Sequence, residues 1–184
     1  FGSAVDIDGD AVVVGGKWTE NRAGDAYVYR FDGASWSLEQ RIVPASLPEL
    51  GEYGSAVAVD GDRILIGAPL QGTDEQGRVF AWEFDGATWT NTEDFAPAGI
   101  LEADNFGHAI DIEGDRAMIG APALTPPTNS QTGTVYEYAW NAGSWSEVDE
   151  LAPTDTAWKM RFGFALSLEG GVLAVGAPFW GGIW

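Results

Sequence analysis

The chain has 184 residues, 45% of them hydrophobic and 12% aromatic, and carries 28 acidic side chains against nine Lys and Arg, for a formal charge of −19. That much core-forming material excludes a disordered segment, and no apolar run approaches the roughly 18 residues that a membrane-crossing helix needs. The negative surface repels phosphate backbones and anionic lipid heads, so neither nucleic acid nor membrane insertion is expected; with no Cys and a single His, disulfides are excluded and little is left for a His-based metal site or a catalytic triad.

Twenty-five Gly and nine Pro, with no helical heptads, predict short strands joined by many turns, an all-β chain. The first residues, "FGSAVDIDGDAVVVGG", return in altered form three more times. Phe1, Tyr53, Phe106 and Phe162 each precede a Gly, and Gly15, Gly67, Gly120 and Gly176 each follow fourteen residues later. A further Gly opens an aromatic stretch at Gly24, Gly77 and Gly133, with a Trp twelve residues on at Trp36, Trp89 and Trp145. From each Trp it is seventeen residues to the next aromatic-Gly pair, so length variation falls in one segment, before the stretch-opening Gly. Constant distances mark a scaffold, and the variable segment marks an exposed loop.

Each repeat reads as four strands. Strand one ("GSAVDID", "GSAVAVD", "GHAIDIE", "GFALSLE") alternates apolar branched residues behind small ones, which suits close backbone approach near a crowded axis. Strand two ("AVVVG", "RILIG", "RAMIG", "VLAVG") is nearly continuously apolar, as a strand covered on both faces is. Strand three sets Tyr27, Tyr29 and Phe31, then Phe80, Trp82 and Phe84, then Tyr136, Tyr138 and Trp140 on one face, ready to pack against a neighbouring sheet. Strand four starts at the repeated Trp and mixes polar with apolar residues, as an outer, half-wet strand does. "DGD" or "EGD" and "FDGAS" or "FDGAT" supply tight hairpins, so consecutive strands pair antiparallel. Four-stranded sheets repeating every 52 to 56 residues are the blades of a β-propeller. The expected units are residues 1–52, 53–105 and 106–161, with the inner strands of a fourth at 162–184: about three and a half blades, a partial or open propeller.

"FG" at strand one, "GAP" after strand two (Gly67-Ala68-Pro69, Gly120-Ala121-Pro122 and Gly176-Ala177-Pro178, with Gly15-Gly16-Lys17 in the first copy) and the Gly opening strand three resemble FG-GAP repeats. That family includes the integrin α-subunit propeller and many secreted bacterial proteins. The resemblance implies a propeller, commonly seven-bladed, in extracellular, secreted or cell-surface proteins of adhesion and ligand binding, sometimes with calcium in the loop between strands one and two. Here that loop is too short for a cage whose oxygens spread over roughly nine to twelve residues. Asp6, Asp8 and Asp10 are therefore read as turn formers and only as weak metal candidates; calcium is possible but not predicted, and no cofactor is expected.

No nucleophile motif, phosphate loop or zinc spacing is present, and His108 occupies the slot held by Ser3, Ser55 and Phe164, so a noncatalytic chain is expected. In a propeller the loops from strand two to three share one face with the connections between blades. Ligand contacts are therefore expected from Trp18, Glu20, Asn21 and Arg22, from Asp74 and Glu75, from Asn129, and from Trp158 and Lys159. Exposed Trp beside amides and acids grips a sugar ring or a partner's surface; the alternative for Trp18 and Trp158 is that they cap the apolar ends of blades. The expected function is a protein- or glycan-binding module, the alternative a structural propeller in a larger secreted protein, perhaps beside an enzymatic domain. An open arc exposes an apolar face at each end, to be covered by further repeats of the same polypeptide or by copies of the chain.

Overall fold

The structure is a computed structural model that describes residues 1–19, 22–45, 50–72, 75–123, 132–154 and 160–178. Its fourteen strands fall into four sheets, each antiparallel and strictly sequential in strand order. Blade 1 holds β1 (Val5–Asp8), β2 (Ala11–Gly15), β3 (Ala26–Phe31) and β4 (Trp36–Ile42). Blade 2 holds β5 (Ala56–Asp60), β6 (Arg63–Ala68), β7 (Arg78–Phe84) and β8 (Trp89–Phe95). Blade 3 holds β9 (Ala109–Glu113), β10 (Arg116–Ala121), β11 (Thr134–Asn141) and β12 (Ser144–Leu151), and the described part of blade 4 is the hairpin of β13 (Ala165–Glu169) and β14 (Val172–Gly176). The all-β propeller architecture read from the repeat spacing is thus present, as an open arc among the described residues.

Each first strand packs beside the first strand of the next blade, β1 with β5, β5 with β9 and β9 with β13, so these strands form the inner wall of the arc. The second strand is the buried middle: Ile64, Leu65 and Ile66 of β6 are all inaccessible. Each β3/β4-type pair carries one register shift at the same place in the repeat, before Tyr29, Trp82 and Tyr138. A bulge at a constant position adds local twist to the outer half of every blade, and nothing in the residue pattern had marked it.

Successive blades meet through unlike faces. The face of blade 1 carrying Ala11, Val13, Ala26, Val28 and Ile42 receives the aromatic face of blade 2, with Val57, Val59, Ile64, Ile66, Phe80, Trp82 and Trp89. Blade 2 in turn offers Ala56, Ala58, Leu65, Val79 and Ala81 to the Tyr136, Tyr138 and Trp145 face of blade 3. Small residues on one side leave room for rings on the other, and each side chain buried this way contributes about 1.5–3 kcal/mol. Among the described residues no blade packs on the aromatic face of blade 1. Val5 is 68% exposed where its counterpart Val57 is 7%, and Trp36 is 45% exposed where Trp89 is 2%.

Polar groups close the same seams. The Oδ2 atom of Asp6 accepts the Val59 N–H (2.7 Å), that of Asp8 accepts the Gly61 N–H (2.8 Å), and Asp60 accepts from Gly114. Asp111 accepts the Leu168 N–H (2.6 Å), and Glu113 takes the N–H groups of Gly170 and Gly171. The innermost strand of a blade is a sheet edge with unpaired donors, and a carboxylate from the preceding blade covers them. This corrects the sequence reading of Asp6 and Asp8 as turn formers: they bind the next blade. Carboxylates that do build turns include Asp32, which accepts the Ala34 and Ser35 N–H groups, and Asp85, which accepts those of Ala87 and Thr88. These bonds hold both carboxyls below the usual carboxylate range.

The FG and GAP glycines meet across the seam. Gly107 sits at φ +86°, and its carbonyl oxygen lies where a Cβ on Gly67 would be, well under 3.0 Å away; Gly15 faces Gly54, and Gly120 faces Gly163, in the same manner. Replacing Gly67 by Ala is expected to cost about 3 kcal/mol, because the obstruction is backbone and cannot swing aside. Gly99→Ala, with no atom within 4 Å of the added carbon, is the control. Urea denaturation followed by Trp fluorescence should separate the two; equal midpoints would refute the seam as the source of stability.

Candidate functional site

The loops after strand two and the connections between blades converge on one end of the arc. The Tyr53 N–H donates to the Ala23 carbonyl (3.0 Å), the Phe106 N–H to that of Gln76 (2.8 Å) and the Phe162 N–H to that of Thr132 (2.8 Å), so each blade's aromatic-Gly start is stitched to the loop end of the blade before it. The residue ahead of each aromatic, Glu52, Asn105 or Arg161, has φ between +54° and +58°, and this left-handed turn brings the connection against the loop.

Around Glu52 this convergence builds an ion network. The carboxylate is nearly buried, accepts from Arg22 and lies 3.7 Å from Lys17 Nζ, while the Glu52 N–H donates to the Arg22 carbonyl (2.9 Å). Lys17 also sits over the ring of Trp18, 5.4 Å from its centroid. Trp18 is 71% exposed, so it stands on the surface and caps no blade end. Of the residues expected at the site, Trp18 and Arg22 come together in this network. Glu75 lies one blade away, with its carbonyl receiving the Asn105 N–H (3.3 Å). Glu20, Asn21, Asp74, Asn129, Trp158 and Lys159 lie outside the described residues. Sequence reasoning missed Glu52, whose only signal was its place before an aromatic-Gly pair.

His108 lies at the inner rim of the same end, its ring centroid 4.8 Å from that of Phe164. Burial, with the positive charges of Lys17 and Arg161, lowers its pKa from 6.5 to about 4 against the opposing pull of Glu52, so the imidazole is neutral at physiological pH. Deeper along the wall, burial raises the Asp111 carboxyl, and the charges of Asp6 and Glu113 push the same way. The three weak metal candidates take separate tasks: Asp6 and Asp8 bind blade 2, and Asp10 pairs with Arg30 at 2.6 Å. Among the described residues no group of three His, Cys, Asp or Glu side chains gathers closely enough to hold a metal ion.

With this geometry in view, comparison with known proteins supports the class. Residues 36–81 match the FG-GAP repeat, a span that runs from β4 through β5 and β6 into β7 and so crosses the seam between blades 1 and 2. The chain therefore carries an FG-GAP repeat on a β-propeller scaffold. Among solved structures it is similar to a europium-containing methanol dehydrogenase (12% identity, TM-score 0.50), covering 80% of this chain and 24% of that one. It is also similar to Sqt1 of Saccharomyces cerevisiae (13% identity, TM-score 0.49), covering 80% of this chain and 34% of that one. The chain thus spans between a quarter and about a third of the length of these structures, and the first likeness concerns the fold alone. No curated protein matches it in sequence.

The depressed pKa of His108 sets a pH dependence. The unfolded chain binds a proton below about pH 6.5 that the folded chain resists until about pH 4, so this contribution is complete above 6.5 and is lost as pH falls toward 4, by at most about 3 kcal/mol. His108→Ser, which installs the residue found at Ser55, should flatten the stability profile between pH 7 and 4.5. Parallel profiles for the two proteins in chemical denaturation would contradict the assignment.

Proposed function

We propose that this propeller is a noncatalytic binding module that takes a protein or glycan ligand on its loop face. The observation that supports the reading is Trp18: a largely exposed indole, stacked under a lysine and set beside the Arg22–Glu52 pair, whereas Trp82, Trp89 and Trp145 are buried between blades. A flat apolar ring next to fixed charges is the chemistry with which proteins hold a sugar face or the edge of a partner. The charges are pre-arranged because Glu52 is tied to the backbone of the Arg22 loop, so little ordering cost falls on binding. An extracellular or cell-surface setting belongs to the same proposal and rests on the FG-GAP repeat; among the described residues no helix is long and apolar enough to cross a membrane.

A second reading, a structural propeller within a larger secreted protein, is favoured by the uncovered aromatic face of blade 1, where Val5, Ile7, Trp36 and Leu38 are exposed. Further repeats of the same polypeptide, or a second copy, would keep that face dry.

Glycan-array and pull-down binding by the wild-type chain, lost in Trp18→Ala and reduced about tenfold or more in affinity in Glu52→Gln, is the expected result. Binding indifferent to both substitutions, with folding intact by circular dichroism, would favour the structural reading.

A further inference from the structure

Where blade 1 passes into blade 2, a cavity of about 420 Å³ opens at the loop end. Pro44 and Ala45, which follow β4, line it together with Gln71, Arg78, Phe80 and Asp94 of blade 2.

Two buried side-chain atoms of these lining residues have no hydrogen-bond partner. Arg78 is held by Asp94: its Nη2 lies 2.7 Å from Oδ2 and donates to the Asp94 carbonyl (3.4 Å). That pairing leaves Nε, which is buried and donates to nothing. Gln71 is only 8% exposed, and its Oε1 is likewise buried and accepts from nothing. Blade 1 shows the same position satisfied. Thr19 and Gln71 start alike, the Thr19 N–H donating to the Gly16 carbonyl (3.1 Å) and the Gln71 N–H to that of Ala68 (3.0 Å). The short Thr19 side chain then closes on its own turn, Oγ1 donating to the Gly16 carbonyl (3.0 Å), whereas the Gln71 oxygen is left without a donor.

A buried donor and a buried acceptor left open cost free energy that a group entering the cavity would recover. A carboxylate there would meet Asp94 and the Gln71 oxygen, and a cation would meet the guanidinium. The chemistry called for is neutral and carries both a donor and an acceptor. A carboxamide supplies both from one flat group, and it pairs with the Gln71 amide whichever way either is turned.

We propose that this cavity receives the side-chain carboxamide of a glutamine or asparagine presented by a partner protein, its oxygen accepting from Arg78 Nε and its N–H donating to Gln71 Oε1. Pro44, Ala45 and Phe80 give apolar surface to the methylene stem behind the amide. A sugar ring, with hydroxyls around its edge, would set some of them against that surface unpaired. The proposal deepens the binding-module reading, names a protein as the partner and rests on that reading.

The test is titration of the whole chain with acetyl-Gly-Gln-Gly-methylamide, followed by NMR, against the same peptide carrying methionine, which keeps the length of the side chain and lacks the amide. Saturable binding of the glutamine peptide is expected, about tenfold weaker for the methionine peptide, for Gln71→Met and for Arg78→Lys, which keeps the charge beside Asp94 and loses the Nε donor. Gln71→Met should fold as the wild type does, because the oxygen it removes bonds nothing in the blade; Arg78→Lys gives the same readout independently. Equal binding of the two peptides, affinity unchanged in both variants, or no saturation at millimolar peptide, the result if water alone fills the space, would overturn the proposal. Tighter binding of N-acetylglucosamine than of the glutamine peptide, lost in Gln71→Met, would overturn it in favour of a glycan. Trp18→Ala should leave the titration unchanged. A chain that selects the glutamine peptide yet shows no Trp18-dependent binding in glycan and pull-down assays therefore loses the Trp18 reading alone, and the reverse outcome loses only the carboxamide site.

Discussion

A carbonyl oxygen occupying the space of a missing side chain holds this molecule together. At each seam the FG glycine of one blade pushes its carbonyl against the Cα of the GAP glycine of the blade before, and no other residue type leaves that space open. The close approach lets the edge strand of one blade reach the acids of its neighbour and seats aromatic faces on small-residue faces. Loosening it would withdraw the acid clasps and the ring packing together. Gly176 shows the contrast: the nearest described atoms to a Cβ there belong to Ala165 in its own hairpin, at 3.2 Å and beyond.

The seam has a direction, because its two sides are chemically different. Each blade gives small residues and carboxylates forward and receives them on rings and backbone donors. At the outer strand the same polarity recurs: the Gln40 side chain exchanges two hydrogen bonds with the backbone of Trp89, and Glu93 accepts the Trp145 N–H at 2.6 Å. An arrangement that hands the same contact on from blade to blade does not satisfy itself at its ends. Blade 1 accordingly shows the receiving face uncovered, which is an apolar surface of the kind that neighbouring sheets bury.

The function proposed here uses what this architecture leaves over. Most of the excess negative charge lies on the surface, but part of it is structural, spent on covering backbone donors along the inner wall. The basic residues are few, and Lys17, Arg22 and Arg161 lie around Glu52 and His108.

Much of the fold was legible in the sequence because its causes are local and recur: alternation sets strand faces, Asp-Gly pairs set hairpins, and constant spacing between landmark residues reports stacking. The strand order, the buried second strand and the aromatic third strand all follow from patterns within one repeat. What a given side chain does across a seam was not legible, because Asp6 and Val59 meet only when two blades dock, and the same Asp-Gly spelling serves a turn at Asp85 and a clasp at Asp60. The ion network at Glu52 was hidden for the same reason, its members lying in segments far apart in the chain. Sequence alone determined which residues could form blades; docking in three dimensions decided which of their carboxylates hold the neighbouring blade and which pair with an arginine of their own blade, since a charge is given its task by whatever the fold brings within a few ångströms of it.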